Sequence, residues 1–261
     1  MTGQPSSTSS VLAGVGIRVS FDLHSGDQNP GRKLSLDQVK VSGTDFGLDI
    51  WGVDEVIVTQ ASIQNSLHGM HVTAHRNLEV HDSIFSNHAT EALAIDAGGE
   101  EDALIVNATF ERNAVAFADS SEGARPRSMT IQDSTFRANG AALVLHDRRL
   151  SISSTLFEGN GNPDKVLPQF GDAAILLGFT GRTRGDPIDP EIVIRTSSFV
   201  GNHGGAVIQE SADEMEFIDA RENWWNSPQG PVRFGKAGVG VLPGEHVSPT
   251  VLVDPFLETP P

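Results

Sequence analysis

The chain has 261 residues and a net charge of −16, from 34 acidic against 18 basic side chains. That balance argues against nucleic acid or an anionic membrane as partner, and against unaided binding of polyuronates, because any basic patch would sit in a repelling field. With no Cys there is neither a disulfide framework nor a thiolate metal site, and no apolar run is long enough to span a bilayer.

Taken in order, residues 1–33 are rich in Gly, Ser and Pro, apart from GIRVSFDL (Gly16–Leu23). That stretch alternates and predicts a capping strand over an otherwise open sheet edge. No basic start followed by an apolar stretch is present, so no export signal is read. The wording is that of a linker trailing from a longer secreted chain.

From Leu34 the chain rewrites one pattern. Its clearest copy is SMTIQDSTFRANGAALVL (Ser128–Leu145). Two apolar residues one apart (Met129, Ile131) are followed, five residues after the second, by Phe136. Asn139 comes three later, then a small-residue turn and a further apolar pair, Leu143 and Leu145. The same places are held by Ile105, Phe110 and Asn113, by Phe157 and Asn160, and by Phe199 and Asn202. Phe85 fits with Asn87 one place early, and Ile63 stands in the Phe column of the copy Val56–Val72. Val39, Val41 and Phe46 read as a shorter first copy.

The bulky-column intervals are then 17, 22, 25, 26, 21 and 42 residues. Self-similarity at this period means stacked units that cannot bury their apolar faces alone. Alternation within each unit is that of strands, and drift in the interval is absorbed by surface loops. A leucine-rich horseshoe would demand Leu and a helical back, and a sandwich would demand hairpin turns; neither is present. The predicted fold is all-β: a right-handed parallel β-helix (β-solenoid) of about seven to nine rungs over residues 34–231, capped at both ends by residues 1–33 and 232–261. The Phe residues should form one interior file and the Asn residues a ladder. Two Gly-, Pro- and Asp-rich stretches, Asn160–Asp172 and Gly178–Glu191, are the expected loop excursions.

The chain closes with Asn223-Trp224-Trp225-Asn226-Ser227-Pro228-Gln229-Gly230-Pro231 and Val251-Leu252-Val253-Asp254-Pro255-Phe256-Leu257. With the rungs, this resembles the secreted bacterial right-handed parallel β-helix repeat proteins, the pectate-lyase-like superfamily with its NosD-like and surface-protein members. Those commonly end in N-W-W-G-S-x-x-G-P and V-x-V-x-x-P-W-L; this chain has Asn226 for Gly and Phe256 for Trp. The resemblance implies fold more than activity. It also implies that Trp224 and Trp225 pack in a cap, and an outer sheet face as the usual place for chemistry.

On that face, the strand after each Asn turn should point Asp49, His71, Ala94, Ala116, Val144 and Leu176 outward. The apolar part, Ala94, Ala116, Val144 and Leu176, reads as a contact stripe for a partner subunit, a neighbouring domain or a covering loop. Such a row cannot hold and deprotonate uronates. The paired carboxylates of the resembled glycosidases, the Tyr-bearing motif of epimerases and the basic pair of pectate lyases are missing. Asp49 and His71, expected on adjacent rungs, are the catalytic candidates. His68, His71, His75 and His88 are a candidate metal set, and Asp96, Glu100, Glu101 and Asp102 a candidate calcium set. Asp172, Arg182, Arg184 and Asp186, in the long loops, are ligand-binding candidates. The functional expectation is a non-catalytic extracellular or cell-surface module, structural, adhesive or carbohydrate-recognising. A polysaccharide lyase or hydrolase is the alternative, and a NosD-like periplasmic accessory role follows from resemblance alone.

Overall fold

The computed structural model describes residues 14–20, 31–73, 76–96, 102–119, 127–146, 148–161, 173–178, 192–209, 218–233, 245–248 and 251–261. These wind into a solenoid of three sheets with ten, nine and seven strands, and strand pairing is parallel throughout. The first sheet includes Val15–Ser20, Phe46–Trp51, His68–Thr73, Glu91–Asp96, Val115–Asp119, Ala141–His146 and Ile175–Gly178. The second begins with Lys33–Asp37 and Glu55–Thr59, and the third with Lys40–Ser42 and Ser62–Gln64.

Sharp one-residue bends join the strands. After each second-sheet strand through the seventh, one residue takes a positive φ: Gln38, Gln60, Asp82, Asn107, Asp133, Ser154 and Thr196. After each third-sheet strand Gly43, Asn65, Asn87, Arg112, Ala138, Gly159 or Gly201 does the same. Gly, Asn and Asp fill most of these places because the left-handed region costs them least.

The lumen is organised by two files. Phe85, Phe110, Phe136, Phe157, Phe199 and Trp225 are fully buried. Successive rings lie 4.6–5.1 Å apart with planes within 8° of parallel. That spacing is imposed by the hydrogen-bonded rise between rungs. Each buried ring contributes roughly 2–3 kcal/mol. Beside them runs the Asn ladder. Asn113, Asn139, Asn160 and Asn202 each donate from Nδ2 to a carbonyl of the preceding rung, those of Phe85, Phe110, Phe136 and Phe157. Each of the first three also donates to the next Asn Oδ1, at 2.9–3.0 Å.

Three expectations are corrected by register. The bulky file begins Val41–Ile63–Phe85, so Val41, not Phe46, holds the first place. The inward pair ahead of it is Leu34 and Leu36, and Phe46 lies on the first sheet, paired with His68. Asn87 is a positive-φ residue, and the next residue, His88, holds the ladder place, its backbone N–H donating to Asn113 Oδ1. His88 is therefore a buried structural residue and not a surface metal ligand. Its ring nitrogens lie 3.0 Å from the Ile63 carbonyl and 3.4 Å from that of Ser66, and burial pushes its pKa down.

The third correction concerns Ala116. After an outward first residue, first-sheet strands turn two consecutive residues inward, the first of them small: Gly47, Gly69, Ala92, Ala116, Ala142. A Cβ on Gly69 would lie 2.2 Å from the Ala92 carbonyl oxygen, so the column has no room for a large side chain. Ala116 sits here, in the main core. Phe117 pairs with Leu93 and Leu143, and Ala118 is the outward residue of that rung. Taking Val115 and Phe117 as an alternating inward pair misses the double inward step and puts Val115 and Ala116 on the wrong faces, since Val115 belongs to the outer cluster.

Candidate functional site

The outward file of the first sheet runs Arg18–Asp49–His71–Ala94–Ala118–Val144–Leu176. It divides into two halves. Ala118, Val144 and Leu176 form a second apolar cluster with Val115, Ala141 and Ala173. Val144 and Leu176 keep only 4% and 6% exposure, so this half is buried within the chain. The first three rungs carry polar and aromatic groups.

Asp49 is the hub of that half. Its Oδ2 accepts from Arg18 Nε at 2.8 Å and pairs with Nη2 at 2.7 Å. Its Oδ1 accepts from the Trp51 indole Nε1 and lies 3.4 Å from His71 Nδ1. It is 3% exposed, so a surface partner cannot reach it directly. Trp51 points the same way two residues on, with its indole pinned by Asp49, and is 44% exposed.

Four rings make a continuous track across the strands Phe46–Trp51 and His68–Thr73. His68 stacks on Phe46 with centroids 4.5 Å apart. Phe46 lies 6.3 Å from His71, and His71 meets Trp51 edge-on at 5.6 Å. At the His68 end, Nδ1 lies 3.0 Å from Glu91 Oε2 and 2.8 Å from Thr90 Oγ1, whose hydroxyl donates to the Leu67 carbonyl. Both neighbours of Nδ1 are thus acceptors, which assigns the proton to Nδ1 and leaves Nε2 an acceptor in the neutral ring. The bond from His68 holds the Glu91 carboxyl below its ordinary pKa, against the opposing effect of burial.

The sequence singled out Asp49 and His71 on this face and passed over Arg18, Phe46, Trp51 and Glu91. The signal for Phe46 was the 17-residue interval, the one value below the rung period. Among the described residues no three His, Asp or Glu side chains come together as metal ligands. His68 and His71 turn to different carboxylates, and His88 is in the ladder. Asp102 is exposed and accepts from Ser128. His75, Glu100, Glu101, Asp172, Arg182, Arg184, Asp186 and the side chain of Asp96 lie outside the described residues.

The three parallel sheets define a β-helical repeat protein, with a cluster of polar and aromatic side chains on the outer face of its first sheet. The family model for the right handed beta helix region matches residues 24–164, and the chain belongs to that family. Neither the curated proteins nor the solved structures give a match.

Proposed function

We propose that the protein is a non-catalytic carbohydrate-recognition module acting outside the cell. The ring track His68–Phe46–His71–Trp51 carries this reading. An exposed, orientationally pinned indole offers an apolar face to the C–H face of a sugar, with polar groups at the rim for its hydroxyls. A lone exposed aromatic needs no explanation. One held in place by a buried carboxylate, at the end of a run of three further rings, is a preorganised platform.

The acidic composition and the resemblance of the closing motif to secreted surface proteins favour the extracellular setting. Two features favour binding over turnover. Asp49 is enclosed by its partners, and its Cα lies roughly 14 Å from that of Glu91, from two rungs and three residues of offset. A glycosidase pair flanks a single bond at much closer range.

Screening against immobilised glycans, followed by calorimetry with the best soluble oligosaccharide, tests the proposal. Trp51→Ala is expected to weaken binding by about tenfold or more, with the melting temperature unchanged. Unaltered affinity in that variant, or no glycan bound at all, would refute it. Chain cleavage with calcium present would favour the polysaccharide-active enzyme instead.

A further inference from the structure

We propose that this face selects uncharged glycans and rejects uronate polymers, and that Glu91 is the rejecting group. This rests on the glycan reading above and adds to it a ligand class and a specificity-determining residue.

The donors and acceptors of the face set the class of ligand it can hold. A ligand carboxylate accepts hydrogen bonds and carries negative charge, so it needs free donors or a cation. On this face the strong donors are engaged with the chain itself, although the half-exposed Arg18 keeps its outer N–H groups at the surface. Arg18 directs Nε and Nη2 to Asp49, whose charge it balances. The Trp51 indole N–H is spent on Asp49 and the His68 Nδ1–H on Glu91 and Thr90. At the His68 end of the ring track, away from Arg18, what remains is acceptor-rich: the half-buried Glu91 carboxylate and His68 Nε2. Glu91 is kept ionised by its bond from His68. With Arg18 and Asp49 cancelling and the His68 ring neutral, Glu91 leaves the described face with a net negative charge, inside a chain of −16. Such a face accepts from the hydroxyls of a neutral sugar chain lying along the ring track, and repels a polymer bearing a carboxylate on every ring.

Calorimetry with two oligosaccharides of equal length and linkage, one neutral and one oxidised to the uronate, reads the inference in dilute buffer near neutral pH. The neutral ligand is expected to bind at least about tenfold more tightly, from like-charge repulsion over a short distance in a partly desolvated setting. The quantity followed is the ratio of the two dissociation constants. Glu91→Gln should shrink that ratio by about fivefold, while Glu91→Asp, which retains the charge, should keep most of it. Thermal melts check that both variants are folded. If neutral glycans bind and the ratio is near one, or is untouched in Glu91→Gln, the inference fails and the glycan reading stands. If neither ligand nor any array glycan binds, the glycan reading itself falls.

Discussion

Glu245 should make the stability of the coil fall as pH rises through neutrality. It stands at the C-terminal end of the ladder, where its Oε1 accepts from the Asn202 backbone N–H at 3.0 Å. Every Asn of the ladder supplies an Nδ2 donor to a carbonyl of the preceding rung; an ionised Glu has none to supply. Its Oε2 is buried without a hydrogen-bond partner, and the residue is 2% exposed. Burial therefore pushes the carboxyl up from its ordinary 4.5 to about 7, against the bonds from Asn202.

The folded state thus keeps a proton that the unfolded chain gives up near 4.5. The stabilisation is fully present below that value and is lost as pH rises through about 7. A raised pKa of this size corresponds to about 3 kcal/mol between the two limits. Glu245→Gln puts an amide in the ladder place at every pH. Urea melts from about pH 5 to pH 9 should show the wild type losing stability and the variant holding its own, with the curves closest at the acid end. Parallel profiles for the two proteins would refute the reasoning.

Other expectations are as direct. Asn139→Ala removes four buried hydrogen bonds, those its Oδ1 accepts from the Asn113 N–H and Nδ2 and those its Nδ2 donates to the Phe110 carbonyl and Asn160 Oδ1, although Asn113 Nδ2 keeps its bond to Phe85 and Asn160 Oδ1 its bond from the backbone N–H of residue 139. At about 1 kcal/mol or more for each, the loss should reach about 4 kcal/mol in denaturant melts. Ala138→Gly relieves a φ of +54° and should raise stability by about 0.5–1 kcal/mol. The same change at Ala142, which is buried in the main core, should lower it. Asp49→Asn loosens the Trp51 indole without removing a ligand-contacting group. It should weaken glycan binding by several-fold, less than Trp51→Ala, and increase quenching of indole fluorescence by acrylamide.

Much of the fold was legible because the lumen repeats its demands once per rung. The five-residue step from Val80 to Phe85, Ile105 to Phe110 and Ile131 to Phe136 survives every change in loop length, and so revealed both the strand and the file. Legibility failed where a small residue is required in place of a large one. Ala116 looks like an ordinary outward residue between Val115 and Phe117, because an inward place that admits only Gly or Ala leaves no hydrophobic signature. In the same way Asn87 drew attention from His88, since an Asn suits both the left-handed bend and the ladder.

What the chain's order of residues determined unaided was the coil itself, since alternation and a repeated bulky place are local properties that any reading frame of the pattern exposes. The polar and aromatic face came only with tertiary structure. Its contacts join residues far apart in the chain, Arg18 to Asp49 across 31 positions, Asp49 to His71 across 22 and His68 to Glu91 across 23, and which of them touch depends on the exact rise from rung to rung. Whether Asp49 is a reactive acid or a buried clasp for an indole is likewise a matter of three donors converging from three rungs, which no single stretch of sequence contains.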